Sequence, residues 1–264
     1  MIRVLVNGAC GKMGQDVIKA VTNAENMEIV GAVDIANVGQ DIGTICGIGE
    51  LGVLVTSDTF TSIKECAADV MVDFTRPDLI LNNIKTAIKC GINAVVGTTG
   101  LTAENIAELE ALNKCGKSKI FIAPNFAIGA VLMMEFSKIA AKQFEWAEVI
   151  EFHHEKKLDA PSGTALRTAE LIRDATGNRL SDTATPEHGE ESRGMAKGNV
   201  RVHAVRMPGV VADQEVIFGG LGQTLTISHK TINRESFMPG VVLAISKVDS
   251  LSGIVIGLEK LLDL

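Results

Sequence analysis

Short apolar runs alternate with helical patterns along the first half of the chain. The helical patterns include Pro77 to Cys90 and Ala103 to Cys115. The apolar runs are Ile2 to Val6, Met27 to Val33, Val70 to Phe74, Asn93 to Val96 and Ile120 to Ala123. Strands that alternate with helices form parallel sheets covered by helices on both faces. The sequence therefore predicts an α/β fold with a doubly wound parallel sheet.

Three glycines, Gly8, Gly11 and Gly14, follow the first apolar run directly. The next segment has a helical apolar face formed by Met13, Val17 and Val21. The order strand, glycine turn, helix lets a backbone approach a pyrophosphate at a helix N-terminus. The spacing GxxGxxG also fits an ordinary turn between a strand and a helix. The glycines alone leave both interpretations open.

The second apolar run ends in Asp34, which favours a dinucleotide site in a Rossmann-type sheet. A carboxylate at this distance from the glycines commonly meets the ribose hydroxyls of the adenosine. No cation occurs at positions 35–37, and a carboxylate repels a 2′-phosphate. NADH is therefore favoured as the cofactor. Lys12 in the glycine loop leaves NADPH as a second candidate.

Polar or turn-forming residues end three later strands of this half. Each group alone fits a simple turn, but the carboxyl ends of parallel strands meet at one edge of a sheet, where ligands bind. Together they predict a shared ligand crevice. The residues are Phe74, Thr75 and Arg76, then Gly97, Thr98 and Thr99, then Pro124, Asn125 and Phe126.

The alternation stops after Phe126. A helix is expected over Val131 to Gln143 and a strand over Ala147 to Phe152. Three later strands are close enough to pair as antiparallel neighbours. They are Val200 to Val205, Glu215 to Phe218 and Leu225 to Ser228. The polar stretch from Ser181 to Asn199 is too long for a tight connection and predicts a mobile loop or lid.

Two domains follow from this change of pattern. Residues 1–126 are expected to form a dinucleotide-binding domain, and residues 127–237 a smaller α+β substrate-binding domain with an open mixed or antiparallel sheet. Helical apolar patterns return from Phe237 to Lys247 and near the C-terminus. Residues 238–264 are therefore expected to complete the first domain.

Charge and cysteine usage exclude several classes of protein. The net charge of −7 argues against nucleic acid as a partner, and no run approaches the roughly 20 apolar residues of a membrane span. The five cysteines form no CxxC pair, which argues against a metal site or a disulfide framework. Unpaired thiols and the absence of a leader pattern at the N-terminus predict a cytoplasmic protein.

The stretch FHHEKKLDAPSGTA, Phe152 to Ala165, gathers proton-carrying groups before a helix start. Ser162 is a good N-cap, and the amides of Gly163 and Thr164 would form an anion site. His153, His154, Lys156 and Lys157 stand beside it in an otherwise acidic chain. A substrate that carries carboxylates is therefore expected. One buried histidine, one solvated histidine and solvated lysines form the structural alternative.

Two other chemistries fit this stretch poorly. Adjacent residues of a strand point to opposite faces, so the histidine pair and Glu155 cannot share a metal ion. Ser162 lacks the GxSxG pattern of a nucleophile elbow.

This stretch resembles the E(A/F)HHxxKxDAPSGTA signature of the dihydrodipicolinate reductases, also called 4-hydroxy-tetrahydrodipicolinate reductases, of bacterial lysine and diaminopimelate synthesis. The resemblance runs the length of the chain through VNGACGKMG, VDFTRP, VGTTG, APNFAIGA and SFMPGVVLAI. The element HHxxKxDAPSGT is highly specific, whereas the glycine loop is not.

The resemblance implies a function and a role for each matching residue. A hydride would pass from NAD(P)H to a cyclic imine diacid, with loss of water from the hydroxylated substrate, giving tetrahydrodipicolinate. His153 would act as the acid/base and Lys157 as the proton donor, while His154, Gly163 and Thr164 hold the substrate carboxylates. The dinucleotide would contact Gly8, Ala9, Cys10, Gly11, Lys12, Met13, Asp34, Gly97, Thr98, Thr99, Ala123, Pro124, Asn125 and Phe126.

The resemblance also implies a homotetramer assembled through the second-domain sheets. Two departures from the family pattern occur. Cys10 occupies the position of the conventional second glycine, and Asp213-Gln214 stands where many relatives carry a histidine. The second departure is expected to affect a loop and not the active site.

Two rival functions fit the sequence less well. An acylating dehydrogenase of aspartate semialdehyde needs a reactive cysteine in the second domain, and none lies beyond Cys115. A regulatory protein that senses NADH would have no use for proton donors beside an anion site. Oxidation of NADH with the pathway substrate separates the reductase from such a sensor.

Overall fold

The computed structural model describes residues 1–182, 192–262 and 264. Contacts divide the chain into two compact units: unit 1 comprises Met1–Ala127 and Phe237–Leu264, and unit 2 comprises Ile128–Ser236. Residues 183–191 of the predicted mobile loop lie outside the described residues.

The strands and helices have the following bounds. The strands are β1 (Ile2–Asn7), β2 (Met27–Val33), β3 (Val55–Thr56), β4 (Val70–Asp73), β5 (Asn93–Val96), β6 (Ile120–Ile122), β7 (Trp146–His153), β8 (Met195–Lys197), β9 (Val200–Arg206), β10 (Ala212–Gly220), β11 (Gln223–Thr231) and β12 (Ile254–Ile256). The α-helices are α1 (Lys12–Thr22), α2 (Ile42–Cys46), α3 (Thr59–Cys66), α4 (Ile80–Cys90), α5 (Ala103–Leu112), α6 (Ile128–Ala141), α7 (Gly163–Thr176) and α8 (Met238–Lys247). Short 3-10 helices cover Arg234–Phe237, Val248–Ser250 and Leu258–Leu261.

Unit 1 contains a seven-stranded parallel sheet in the order β12-β6-β5-β4-β1-β2-β3. The predicted doubly wound α/β sheet is therefore confirmed, and β2 and β5 have the predicted bounds. The helical pattern expected near the C-terminus is partly wrong. Ile254 pairs with Ile120 and Ile256 with Ile122, so this segment adds strand β12 to the edge of the sheet before the last 3-10 helix.

The glycine loop is packed too tightly to accept a side chain at one position. A Cβ on Gly14 would lie 2.1 Å from the carbonyl oxygen of Gly8 and 2.9 Å from the Cα of Ala9. Both obstacles are backbone atoms, which cannot rotate away. Glycine at position 14 therefore lets the start of α1 lie directly on the loop that follows β1.

Unit 2 contains a five-stranded mixed sheet in the order β11-β10-β7-β9-β8. The predicted antiparallel pairing is correct for β10 and β11. It is wrong for β9, which pairs parallel with β7 and antiparallel with β8. The inward side chains of β9, Val200 and Val202, join the core beneath α7, and this places the strand beside β7. Strand β8 also replaces part of the predicted loop.

Helices α6 and α7 pack on the same face of this sheet. The core between them and the strands includes Val149, Val216, Ala165, Ala169 and Ile172, all buried. Strand residues alternate between the two faces, so Ile150, Phe152 and Ile217 point away from both helices and are half-buried. The sheet of unit 2 therefore has one face that neither α6 nor α7 covers. Among the described residues, no helix has the length and apolar character that crossing a membrane requires.

Candidate active site

The glycine loop of unit 1 joins the ends of β1 and β2. The amides of Gly8 and Ala9 donate to the carbonyl of Val33 at 2.9 and 3.1 Å. The Asp34 carboxylate accepts from the amide of Cys10 at 2.9 Å and from that of Ala36 at 3.0 Å. Asp34 therefore holds the loop as well as standing at the predicted ribose position.

A cavity of about 520 Å³ lies beside this loop. Its walls include Gly8, Gly11, Asp34, Ser57, Thr59 and Arg76. The first three belong to the predicted cofactor site. Ser57 and Thr59 follow β3, a strand too short to be recognised in the sequence, and so the sequence did not reveal them.

Two smaller cavities continue along the carboxyl edge of the same sheet. One of about 220 Å³ is lined by residues that include Met13, Gly97, Thr98 and Thr99. The other, of about 190 Å³, is lined by residues that include Thr98, Thr99 and Pro124. All the predicted strand-end residues except Asn125 and Phe126 therefore lie along one row of cavities.

Several other predicted cofactor residues do not line these three cavities in the described part of unit 1. They are Ala9, Cys10, Lys12, Ala123, Asn125 and Phe126. Ala9, Ala123 and Phe126 are buried, and the ring of Phe126 packs at 5.8 Å from that of Phe74. Direct contact of a dinucleotide with these residues stays a prediction.

A buried carboxylate that the sequence did not single out holds this edge of the sheet together. Asp73 has no exposed surface, and one of its oxygens accepts from the amide and hydroxyl of Thr75 at 3.1 and 2.8 Å and from the Thr98 hydroxyl at 2.8 Å. The other oxygen accepts from the side-chain amides of Asn7 at 3.0 Å and Asn83 at 2.8 Å. Asp73 therefore connects the ends of β1, β4 and β5 with α4.

Arg76 is a cation in the same cavity as Asp34. Its guanidinium lies 2.7 Å from the Asp78 carboxylate, and both side chains are largely exposed. The residues that directly follow Asp34 contain no cation. Arg76 reaches the same cavity from the end of β4, at a distance along the chain where no cation was expected to meet the cofactor. An exposed ion pair contributes little stability, which leaves this guanidinium free to exchange Asp78 for another anion.

The predicted cluster in unit 2 lies between the end of β7 and the start of α7. Ser162 is the N-cap of α7, as predicted, and its hydroxyl accepts from the amide of Ala165 at 3.2 Å. Gly163 is exposed in the first turn, with Thr164 after it. The helix start is thus formed as an anion-binding site requires.

The two adjacent histidines have different surroundings. Nδ1 of His153 lies 2.5 Å from Glu151, whose side chain is completely buried. His154 is exposed, and its Nδ1 accepts from the amide of Lys156 at 3.2 Å. The ring of His153 is therefore held by a buried carboxylate, whereas His154 is exposed to solvent.

Glu151 has two partners in addition to the histidine, and together they donate three hydrogen bonds. The Arg206 guanidinium donates to both of its oxygens at 2.8 Å, and the amide of Ser162 donates at 3.0 Å. Burial alone would raise the pKa of Glu151. The hydrogen bonds from Arg206, His153 and Ser162 outweigh burial, and the pKa lies below its ordinary value of 4.5. Glu151 is therefore an ionised carboxylate inside the protein.

The Lys157 ammonium lies 2.7 Å from the carboxylate of Asp159. That hydrogen bond lowers the pKa of Asp159, so the carboxylate is charged at neutral pH. The Lys157 side chain is about one-fifth exposed, so the ammonium can still be reached from solvent. In the described residues, no group of histidine, cysteine, aspartate and glutamate side chains could hold a metal ion.

Comparison with known proteins identifies the family. A model named "Dihydrodipicolinate reductase, N-terminus" matches residues 2–126, and one named "Dihydrodipicolinate reductase, C-terminus" matches residues 129–262. The chain belongs to the dihydrodipicolinate reductase family. The resemblance drawn from FHHEKKLDAPSGTA is confirmed.

Individual reductases match over their full lengths. The 4-hydroxy-tetrahydrodipicolinate reductase of Desulfitobacterium hafniense strain DSM 10664 / DCB-2 is 47% identical over 266 residues, which cover 99% of each chain. That of Moorella thermoacetica is 46% identical over 99% of this chain and 98% of its own. A solved dihydrodipicolinate reductase from Paenisporosarcina sp. TG-14, with dipicolinate bound, has a TM-score of 0.89 and 38% identity over 99% of this chain and all of its own.

Family membership makes the chain an NAD(P)H-dependent oxidoreductase. It favours the reductase over an acylating dehydrogenase and over an NADH sensor. The cysteines also argue against an acylating dehydrogenase, which needs a reactive thiolate. Burial raises the pKa of Cys10, Cys46, Cys66 and Cys90 and so disfavours that form.

The departure from the family pattern at Asp213-Gln214 does not lie in a loop, although the sequence predicts one there. Gln214 belongs to strand β10 and not to a loop, and it pairs in register with Glu151 of β7. Its side chain is buried and donates to the Thr168 hydroxyl at 2.7 Å. The expectation of a loop effect is therefore wrong, because Gln214 stands beside the carboxylate that holds His153.

Proposed function

We propose that this reductase converts 4-hydroxy-tetrahydrodipicolinate to tetrahydrodipicolinate in lysine and diaminopimelate biosynthesis. Loss of water gives a cyclic imine diacid, which accepts a hydride from NAD(P)H and a proton. The observation that carries the proposal is the arrangement in unit 2. His153 ends β7 and Lys157 lies in the segment that leads from β7 to the start of α7, and each of these two proton carriers has its own carboxylate partner. The solved relative with dipicolinate bound supports a planar diacid as the ligand.

Each predicted unit 2 residue then has a chemical task. A hydride added to C4 of the imine diacid pushes an electron pair onto the conjugated system. The Lys157 ammonium donates the proton that this electron pair takes up, and His153 acts as the acid/base. His154 and the first-turn residues Gly163 and Thr164 bind the carboxylates, because the first amides of a helix favour anions.

Unit 1 is the proposed dinucleotide-binding domain. The nicotinamide cofactor would lie along the row of cavities at the carboxyl edge of the sheet, with its pyrophosphate at the glycine loop and its ribose at Asp34. The cofactor supplies the hydride. The protein orients it through the loop and through the strand ends that Asp73 holds.

NADH is the preferred cofactor in this proposal, because the Asp34 carboxylate repels a 2′-phosphate. We expect NADH to give the higher kcat/KM when product of the preceding synthase is generated freshly in a coupled assay and the two cofactors are compared side by side. Omission of the synthase is the control and should abolish oxidation of either cofactor. A tenfold advantage of NADPH, about 1.4 kcal/mol, would contradict the preference. Failure of both cofactors would contradict the reductase activity itself.

A homotetramer is proposed for the assembly, and the cytoplasm for the location. The half-buried apolar residues Ile150, Phe152 and Ile217 lie on the sheet face of unit 2 that α6 and α7 leave uncovered. We expect light scattering to give about four times the 28.0 kDa mass of one chain. Ile217→Asp places a charge on this face and should lower the mass. A monomeric wild-type protein would contradict the proposal.

Five cysteines, none of them in a disulfide, suit a reducing compartment.

A further inference from the structure

Four hydrogen bonds fill the acceptor sites of the Glu151 carboxylate. One oxygen, Oε1, accepts from the amide of Ser162 and from Nη2 of Arg206, at 3.0 and 2.8 Å. The other, Oε2, accepts from Nη1 of Arg206 at 2.8 Å and lies 2.5 Å from Nδ1 of His153. Each oxygen of a carboxylate has two acceptor sites, so both are fully used.

The ionised carboxylate decides which ring nitrogen of His153 carries the hydrogen. An ionised carboxylate can only accept hydrogen bonds, so Nδ1 of His153 must donate. In the neutral ring a hydrogen on Nδ1 leaves Nε2 without one. Nε2 is then the nitrogen that can take a proton from a ligand and return it.

We propose that Glu151 is a positioning residue of this reductase, which sets the tautomer and the ring orientation of His153 and holds the substrate-binding helix start in register with it. The proposal rests on the proposed role of His153 as the acid/base. Glu151 and His153 are two residues apart on β7, so their side chains leave the strand on the same face. Glu151 therefore reaches the ring from beneath, away from solvent.

The same carboxylate also positions the loop between β7 and α7. Its bond to the amide of Ser162 connects β7 with the N-cap of α7. Arg206, which neutralises the carboxylate, donates from Nη2 to the carbonyl of Asp159 at 2.7 Å, and Asp159 binds Lys157. The ion pair of Glu151 and Arg206 therefore connects His153, the start of α7 and, through Asp159, Lys157.

Glu151→Gln tests this proposal because a glutamine has only one oxygen. The amide oxygen is needed at the Oε1 position, where the Ser162 amide and Arg206 donate. The NH₂ group must then occupy the Oε2 position, where it donates to Nδ1 of His153 and deprives Nη1 of Arg206 of its acceptor. The variant should therefore move the hydrogen of the neutral ring from Nδ1 to Nε2, and the lost hydrogen bond of Arg206 Nη1 should also lower its free energy of unfolding.

The measurement is the ¹⁵N spectrum of the histidine rings in protein labelled at histidine, with His153 assigned by loss of its signals in His153→Asn. We expect hydrogen on Nδ1 in the wild type and on Nε2 in Glu151→Gln. We also expect kcat to fall about 100-fold in the variant while the KM for NADH stays unchanged. Hydrogen on Nε2 in the wild type would overturn the proposal even if the variant did not fold.

Glu148→Gln is the matched control. Glu148 is also on β7 and lies 2.8 Å from Nε2 of His203, but its side chain is 39% exposed and points to the opposite face. This variant should keep the wild-type tautomer of His153 and the wild-type kcat. An unchanged tautomer and kcat in Glu151→Gln would overturn the proposal. A wild-type protein with hydrogen on Nδ1 but no reductase activity would instead refute the proposed function and leave the tautomer assignment standing.

Discussion

Lys157→Ala and His153→Ala are each expected to lower kcat by about 10²- to 10⁴-fold. The variants lose the ammonium proposed as the proton donor and the imidazole proposed as the acid/base, respectively. Both residues belong to unit 2, and the predicted dinucleotide-binding residues belong to unit 1. The Kd for NADH, measured by fluorescence titration, should therefore stay near the wild-type value.

Lys156→Ala is the matched control for the lysine variant. Lys156 is adjacent, carries the same charge and is exposed, and it is assigned no part in the chemistry. We expect near wild-type kcat for it. Added methylamine should restore part of the activity of Lys157→Ala, because a small ammonium can occupy the space left by the side chain. Unchanged turnover in either alanine variant would defeat the role assigned to that residue.

Arg206→Met is expected to lower the free energy of unfolding of unit 2 by about 3–5 kcal/mol at neutral pH. The variant keeps the length of the side chain but removes the two hydrogen bonds that compensate Glu151, which is completely buried. A buried charge without its partner is far more costly than the loss of an exposed pair. Urea unfolding followed by circular dichroism gives the difference.

The difference in the free energy of unfolding between wild type and Arg206→Met should shrink as the pH falls, because the ion pair depends on an ionised Glu151. In the wild type the folded pKa lies below the ordinary value of 4.5, so the carboxylate stabilises the fold above that pH and the contribution is lost as the pH falls through the folded pKa. Without Arg206 burial dominates and raises the pKa of Glu151, so protonation relieves the variant first. The two unfolding free energies should converge below about pH 4.5.

Arg167→Met is the control for this comparison. Arg167 lies 3.7 Å from Glu170 on α7, and its side chain is 58% exposed. We expect a loss below about 1 kcal/mol, since exposed ion pairs contribute little. Equal losses in the two variants at neutral pH would mean that Glu151 does not depend on Arg206.

The first sheet was largely predictable, since each of its longer strands is a continuous apolar run bounded by turn residues. The failures lie where an element is too short to show a period. Strands β3 and β12 have two and three residues, and the sequence pattern around β12 predicts a helix instead. The neighbour of β9 was also mispredicted, because strand pairing depends on tertiary packing and not on distance along the chain.

The candidate site likewise has a part that the sequence predicts and a part that it does not. His153, Lys157 and Ser162 stand within ten residues of each other, so a local motif contains them. Glu151 and Arg206 are 55 positions apart and meet only because β7 and β9 pair in parallel. The donors to Asp73 likewise come from Asn7, Thr98 and Asn83. Glu151 stands at the glutamate of the family signature E(A/F)HHxxKxDAPSGTA. No local pattern distinguishes Arg206 or the donors to Asp73 from ordinary polar residues of strands and helices.

The position of β12 has a consequence for the order in which unit 1 can form during synthesis. The edge of β6 is completed by Ile254–Ile256, and α8 packs against α1, yet both segments leave the ribosome after all of unit 2 has been made. Until then the β6 edge exposes unpaired backbone groups, which invite pairing with another chain. We therefore expect the nascent first 127 residues to need a chaperone or a temporary partner at that edge, and unit 1 to reach its final fold only after translation ends.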